Sequence, residues 1–249
     1  MFNYFKSEIW RLTHKRSSFI YYVFLIFVYI ISILFLAIQD LYTPNTLLES
    51  AQSIISLLPV FVGTQVFLAV YGDDLKDRML IKIIGTGLHR LAYLLVKTVM
   101  FILYSAIVFL ILGAVYLISF MIAGGHLAVY AQDIQSIAVM GIITYLKTLA
   151  FSQIAAAFLF CFQKTVPALV LFLTLIMGVV LFVFNIMAYV FPIIEKFTNY
   201  SVSTLSQNAQ TMWINFRQFD TSFIIGITIY IVLAFASQIM IFKNRDIKG

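Results

Sequence analysis

Six apolar runs divide this chain, at about 18–39, 51–71, 92–122, 138–162, 167–190 and 222–242. Each approaches or exceeds the ~20 residues a helix needs to cross the hydrocarbon of a bilayer. No polar stretch between them is long enough to fold as a soluble domain. The expectation is an all-α polytopic membrane protein with six transmembrane helices, a single domain over residues 1–249. Composition agrees: 63% of residues are hydrophobic and 10% charged, with mean hydropathy +1.03. Soluble domains carry about 25% charge. Basic residues ahead of the first run imitate a signal peptide, but the run is too long and no small-residue cleavage site follows. It is expected to persist as the first span.

The net charge of +6 reads as topology rather than nucleic-acid binding. With the N-terminus inside, only Lys196 and Arg217 fall outside and Lys147 lies within a span. The other thirteen of the sixteen basic residues are then cytoplasmic, the bias of the positive-inside rule. Both termini are therefore expected in the cytoplasm. Cys161, alone and inside an apolar run, reads as a small buried hydrophobe.

Residues 1–17 predict an amphipathic interfacial helix. Phe2, Phe5, Ile9 and Leu12 form its apolar face, Lys6, Arg11, Lys15 and Arg16 its cationic edges, and Trp10 sits at headgroup depth. Polar loops are expected at 40–50, 72–91 and 123–137. A tight hairpin is expected at Gln163–Val166, before Pro167. The 191–221 segment, with large apolar anchors among Ser, Thr, Asn and Gln, predicts one or two short helices on the outer face.

The 72–91 connection differs from the others. Leu75, Met79 and Ile83 fall at i, i+4 and i+8, one stripe of a short helix, with Asp73, Asp74, Lys76, Asp77, Arg78 and Lys82 around the rest. Gly85 and Gly87 interrupt it before the next run begins.

Catalytic signatures are missing. His14, His89 and His126 lie in separate segments without metal-ligand spacing. There is no HExxH, no GxSxG and no phosphate-binding loop. No enzyme activity and no cofactor in this chain are expected. Lys147 lies 17 residues before Lys164, about 25 Å along a helix, where it can snorkel to the outer headgroups. Uncharged polar residues in the spans admit two readings: helix–helix hydrogen bonding, or, for Thr64, Gln65 and Asn185, a wet lane for an amphipathic cargo.

An interfacial N-terminal helix, six spans and a cytoplasmic helix between the second and third together resemble the membrane subunit of type-2 ABC transporters. The local likeness runs through Asp73-Asp74, Gly85-Thr86, Arg90 and, seven positions later, Lys97. The chain departs from the family's pattern in lacking the commoner Glu at the start of this motif. The resemblance implies that 73–84 is a coupling helix seated in a groove of a separate cytoplasmic ABC ATPase, present in two copies. ATP and Mg would be bound by that partner. It also implies a second permease copy or paralogue in the bacterial cell membrane, and export of an amphipathic substrate, a peptide of antimicrobial, cytolytic or bacteriocin type. The competing expectation is an ATP-independent channel or secondary transporter, whose mark would be Gly- or Pro-broken spans; Gly178 and Asn185 bear on it.

Overall fold

The computed structural model describes residues 2–39, 41–73, 85 and 88–244. Among them the chain is entirely helical. Helix α1 (Phe2–Thr13) leads into α2 (Arg16–Ile38), followed by α3 (Pro44–Gly72), α4 (Arg90–Ile122) and α5 (Ala131–Phe162). Then come α6 (Thr165–Ile176), α7 (Val179–Val190), α8 (Pro192–Asn199), α9 (Val202–Phe216) and α10 (Thr221–Asn244). Helices α2, α3, α4, α5 and α10 are long and apolar enough to cross a membrane. The chain is a membrane-embedded helical protein.

The fifth apolar run departs from the single straight helix expected of it. It breaks at Met177–Gly178 into α6 and α7, which meet at 65°. The left-handed backbone of Gly178, φ +74°, ends the helix there. Side chains other than glycine rarely accept that conformation. Among the described residues there are thus five candidate spans, or six if the bent pair crosses as one.

Two expected loops are shorter than their composition suggests. In the 40–50 segment, the Thr43 side chain accepts from Thr46 N–H at 3.3 Å and Pro44 occupies the first helical position. This combination starts a helix inside a polar sequence. Leu47 and Ala51 bury its first turns, and Tyr116 of α4 donates to the Leu47 carbonyl at 3.1 Å. Likewise α5 begins at Ala131, well inside the expected 123–137 loop. The 191–221 segment does form two helices, α8 and α9, the second capped by the Ser201 hydroxyl on Thr204 N–H at 3.2 Å.

Helix α3 is irregular, with π-helical turns at Pro59–Gly63 and Leu68–Gly72. Proline lacks an N–H and crowds the preceding turn, and a widened turn is a common accommodation within a helix. At the centre of the bundle lies α5. Its alanines Ala150, Ala155 and Ala156 are fully buried and allow α10 and α3 to approach closely. Phe67 of α3 stacks on Phe172 of α6 at 5.3 Å. Between α5 and α10, Gln238 Nε2 donates to the Gln153 backbone carbonyl at 2.9 Å and to its Oε1 at 3.0 Å. Gln153 in turn donates to the Tyr71 hydroxyl at 3.5 Å. In hydrocarbon such amides have no water to turn to, so pairing across helices satisfies them.

Candidate functional site

Helix α1 buries a different face from the one its apolar residues suggest. Phe5 and Leu12 do turn toward the bundle, but Phe2 is 77% exposed and Ile9 41%. The inward face instead runs through Tyr4, Glu8, Arg11, Leu12 and Lys15. Glu8 is the reason. Its side chain is 5% exposed and that of Lys97, on α4, fully buried; Lys97 Nζ donates to Glu8 Oε2 at 2.8 Å. Two buried opposite charges favour one rotation of α1 more strongly than two exposed apolar side chains favour another, because separating them would leave both desolvated.

Arg11 extends the pair into a cluster. Its Nη2 donates to Glu8 Oε2 at 2.8 Å and to the Ala69 carbonyl at 3.1 Å, and its Nη1 to Asp73 Oδ2 at 3.1 Å. Lys15 Nζ donates to the same Asp73 oxygen at 2.5 Å. Glu8 and Asp73 thus face three cations, Arg11, Lys15 and Lys97, drawn from α1, its C-terminal flank and α4. The Lys97 ammonium also lies 5.6 Å from the ring centre of Tyr93 and 6.0 Å from that of Tyr4, within cation–π range. A planar guanidinium suits the bridging position, since its fork serves two carboxylates and a carbonyl together.

Burial pushes the Glu8 carboxyl up, while the Lys97 and Arg11 charges beside it lower it further, leaving it below its ordinary value of 4.5. The folded carboxyl therefore binds protons less readily than the unfolded one. Its stabilisation is complete above about 4.5 and is lost as pH falls through the lowered folded value. Thermal midpoints in detergent are expected to drop below pH 4.5, and less steeply in Glu8→Gln. Identical acid limbs in the two proteins would remove Glu8 as a source of the drop.

A second clamp closes the other flank of the 72–91 connection. Arg90, the first residue of α4, donates through Nη1 to the carbonyls of Phe242 at 2.9 Å and Lys243 at 3.3 Å. Those carbonyls belong to α10, close to Asn244, the last residue described in that helix. The guanidinium also stands over the Phe242 ring at 5.9 Å.

The motif residues that are described, Asp73, Arg90 and Lys97, are each engaged in these clamps, and Gly85 is exposed. Asp74, Leu75, Lys76, Asp77, Arg78, Met79, Lys82, Ile83 and Thr86 lie outside the described residues. The three lane candidates are not joined by hydrogen bonds. Gln65 donates to Ser18 of α2 at 3.4 Å, a helix–helix contact. The Thr64 hydroxyl is buried without a partner. Asn185 faces outward from α7, which packs chiefly on α6 and α8. Lys147 is half-buried with its ammonium 5.9 Å from the Phe151 ring. Among the described residues no His, Cys, Asp and Glu group could hold a metal ion.

Glu8 was the residue that composition concealed. As the lone acid among the cations of residues 2–16 it looks like a minor solvated charge. Its position is the available signal: Phe5 and Leu12 lie three residues before and four after it, so it shares their face. Comparison of the chain with protein-family models, with curated proteins and with solved structures found no match.

Proposed function

We propose that this chain is the transmembrane permease subunit of an ABC exporter, moving an amphipathic substrate, a peptide of antimicrobial, cytolytic or bacteriocin type. ATP hydrolysis by a separate cytoplasmic ATPase would drive it. The observation that carries the reading is the pair of clamps flanking the charged connection. Asp73 is tied to α1 through Arg11 and Lys15, and Arg90 to the end of α10. A segment that receives mechanical work transmits it only if both of its ends are stiffly joined to the spans. Here displacement of 73–84 would be passed to α3 and α4 and, through α1 and α10, to the rest of the bundle. The stripe Leu75, Met79 and Ile83 would fill the ATPase groove, while Asp77, Arg78 and Lys82 set register. In the bacterial cell membrane two permease copies, or this chain and a paralogue, would enclose the lane.

The test is association with a cytoplasmic ABC ATPase co-expressed with this chain. Leu75→Asp with Met79→Asp is expected to abolish its co-purification while leaving membrane insertion unchanged. Undiminished co-purification would overturn the coupling assignment. A second reading, an ATP-independent channel or secondary transporter, draws support from the 65° break at Gly178, since discontinuous helices often build substrate sites in such proteins. Substrate flux in proteoliposomes that hold the chain without any ATPase would favour it.

A further inference from the structure

We propose that the crevice between α1 and the first turns of α4 is a binding site for a phospholipid with an anionic headgroup. The crevice encloses about 370 Å³ and is lined by Phe2, Phe5, Leu95, Val96 and Val99. Its size falls within the range of small-ligand pockets. Every lining side chain is apolar, so water entering it would find no hydrogen-bond partner. An acyl chain needs none.

The position of the crevice follows from the ionic cluster. With the rotation of α1 fixed by Glu8 and Lys97, Phe2 stays 77% and Trp10 65% exposed. Val99, 40% exposed, forms the open wall on α4, whereas Val96 closes the floor at 2%. Apolar side chains left outward beside a spanning helix are stable only against lipid.

The headgroup preference comes from charge. Lys6 lies one turn after Phe2 on the same face of α1 and is exposed. It has no carboxylate within ion-pair distance among the described residues, in contrast to Arg11, Lys15 and Lys97. An exposed lysine one turn from an apolar crevice complements a lipid that carries a negative phosphate group above its acyl chains. A lysine near an anionic membrane surface favours binding by about fivefold. The site requires only that α1 lies against the membrane. It is independent of any ATPase partner, so its failure and that of the exporter reading are separable.

The chain supplies its own probe. It has two tryptophans, and Trp213→Phe leaves Trp10, on α1, as the sole tryptophan emitter. Quenching of Trp10 would be measured in vesicles of phosphatidylcholine mixed with brominated phosphatidylglycerol, and in vesicles with brominated phosphatidylcholine instead. The expected relative binding constant is about fivefold in favour of phosphatidylglycerol. Lys6→Gln is expected to bring it near one, and Lys6→Arg to retain it, which separates loss of charge from loss of folding. Val99→Phe, filling the crevice, is expected to reduce quenching by both lipids. A ratio near one in the parent, a ratio unchanged in Lys6→Gln, or quenching unaffected by Val99→Phe would each overturn the site.

Discussion

Replacing Glu8 by alanine is expected to destabilise the protein by about 3–5 kcal/mol, the usual consequence of removing one partner from a buried ion pair. The change removes the carboxylate that Lys97 and Arg11 share. Lys97 would remain in a fully buried position where its charge has lost its 2.8 Å counter-ion. Glu8→Leu combined with Lys97→Leu is expected to recover most of the loss, because it removes both charges and their desolvation together. Thermal melting in detergent of the parent, Glu8→Leu, Lys97→Leu and the double variant, the four corners of a double-mutant cycle, measures the coupling directly. Additive effects would mean that the 2.8 Å contact contributes little energetically. The single variant should also loosen α1, seen as faster proteolysis before Arg16, since Glu8 is the deepest polar anchor of that helix.

The second large effect is expected at Gly63, in the first π-helical turn of α3. A Cβ there would lie 2.9 Å from Thr148 Cγ2 on α5 and 3.0 Å from Phe172 Cζ on α6. Both neighbours are completely buried, and Phe172 is held by its stack on Phe67, so neither has room to retreat. Gly63→Ala is expected to cost about 1–3 kcal/mol by overpacking, and Gly63→Leu more. The contrast is Gly113→Ala on α4, where nothing lies within 4 Å of the added Cβ. That change is expected to be neutral or stabilising by up to about 1 kcal/mol, from the lower helix propensity of glycine. Unfolding in mixed micelles would compare the three, and equal stabilities for Gly63→Ala and Gly113→Ala would show that α3 moves aside freely.

These two predictions concern the same architectural point. Residues near Gly63 pack α3 against α5 and α6, while Asp73, at its other end, is tied to α1. Between them run the π-helical turn Leu68–Gly72 and Tyr71, whose hydroxyl accepts from Gln153. Helix α3 is therefore anchored on both sides of its irregular section. In the exporter reading, a displacement of the following connection would be concentrated in that section, where the backbone ladder is already interrupted.

How much was legible beforehand follows from the range of the interactions involved. Helical class, the long apolar helices and the helical character of the 191–221 segment were readable because they depend on run length and local periodicity, whereas the number of spans was not, since the fifth run breaks at Gly178. The break at Gly178 was partly readable: a glycine in an apolar run is visible, but its left-handed conformation depends on how α6 and α7 settle. The early start of α3 at Pro44 could have been taken from the Thr-Pro pair, had cap chemistry been weighed above polarity. For the site, Asp73, Arg90 and Lys97 were marked by resemblance and are each held by partners in the structure. The lane grouping of Thr64, Gln65 and Asn185 rested on residue type alone, and Gln65 pairs instead with Ser18.

The sequence by itself determined that this chain is a helical membrane protein with charged connections, because hydropathy and periodicity act over one helix at a time. Only the tertiary structure decided which charges are buried. Glu8 and Lys97 are 89 residues apart, and Arg90 and Phe242 are 152 apart. Whether such groups meet depends on how the helices rotate and cross. That rotation is set by desolvation, since a buried carboxylate must find its cation while an exposed phenylalanine beside a membrane need find only lipid.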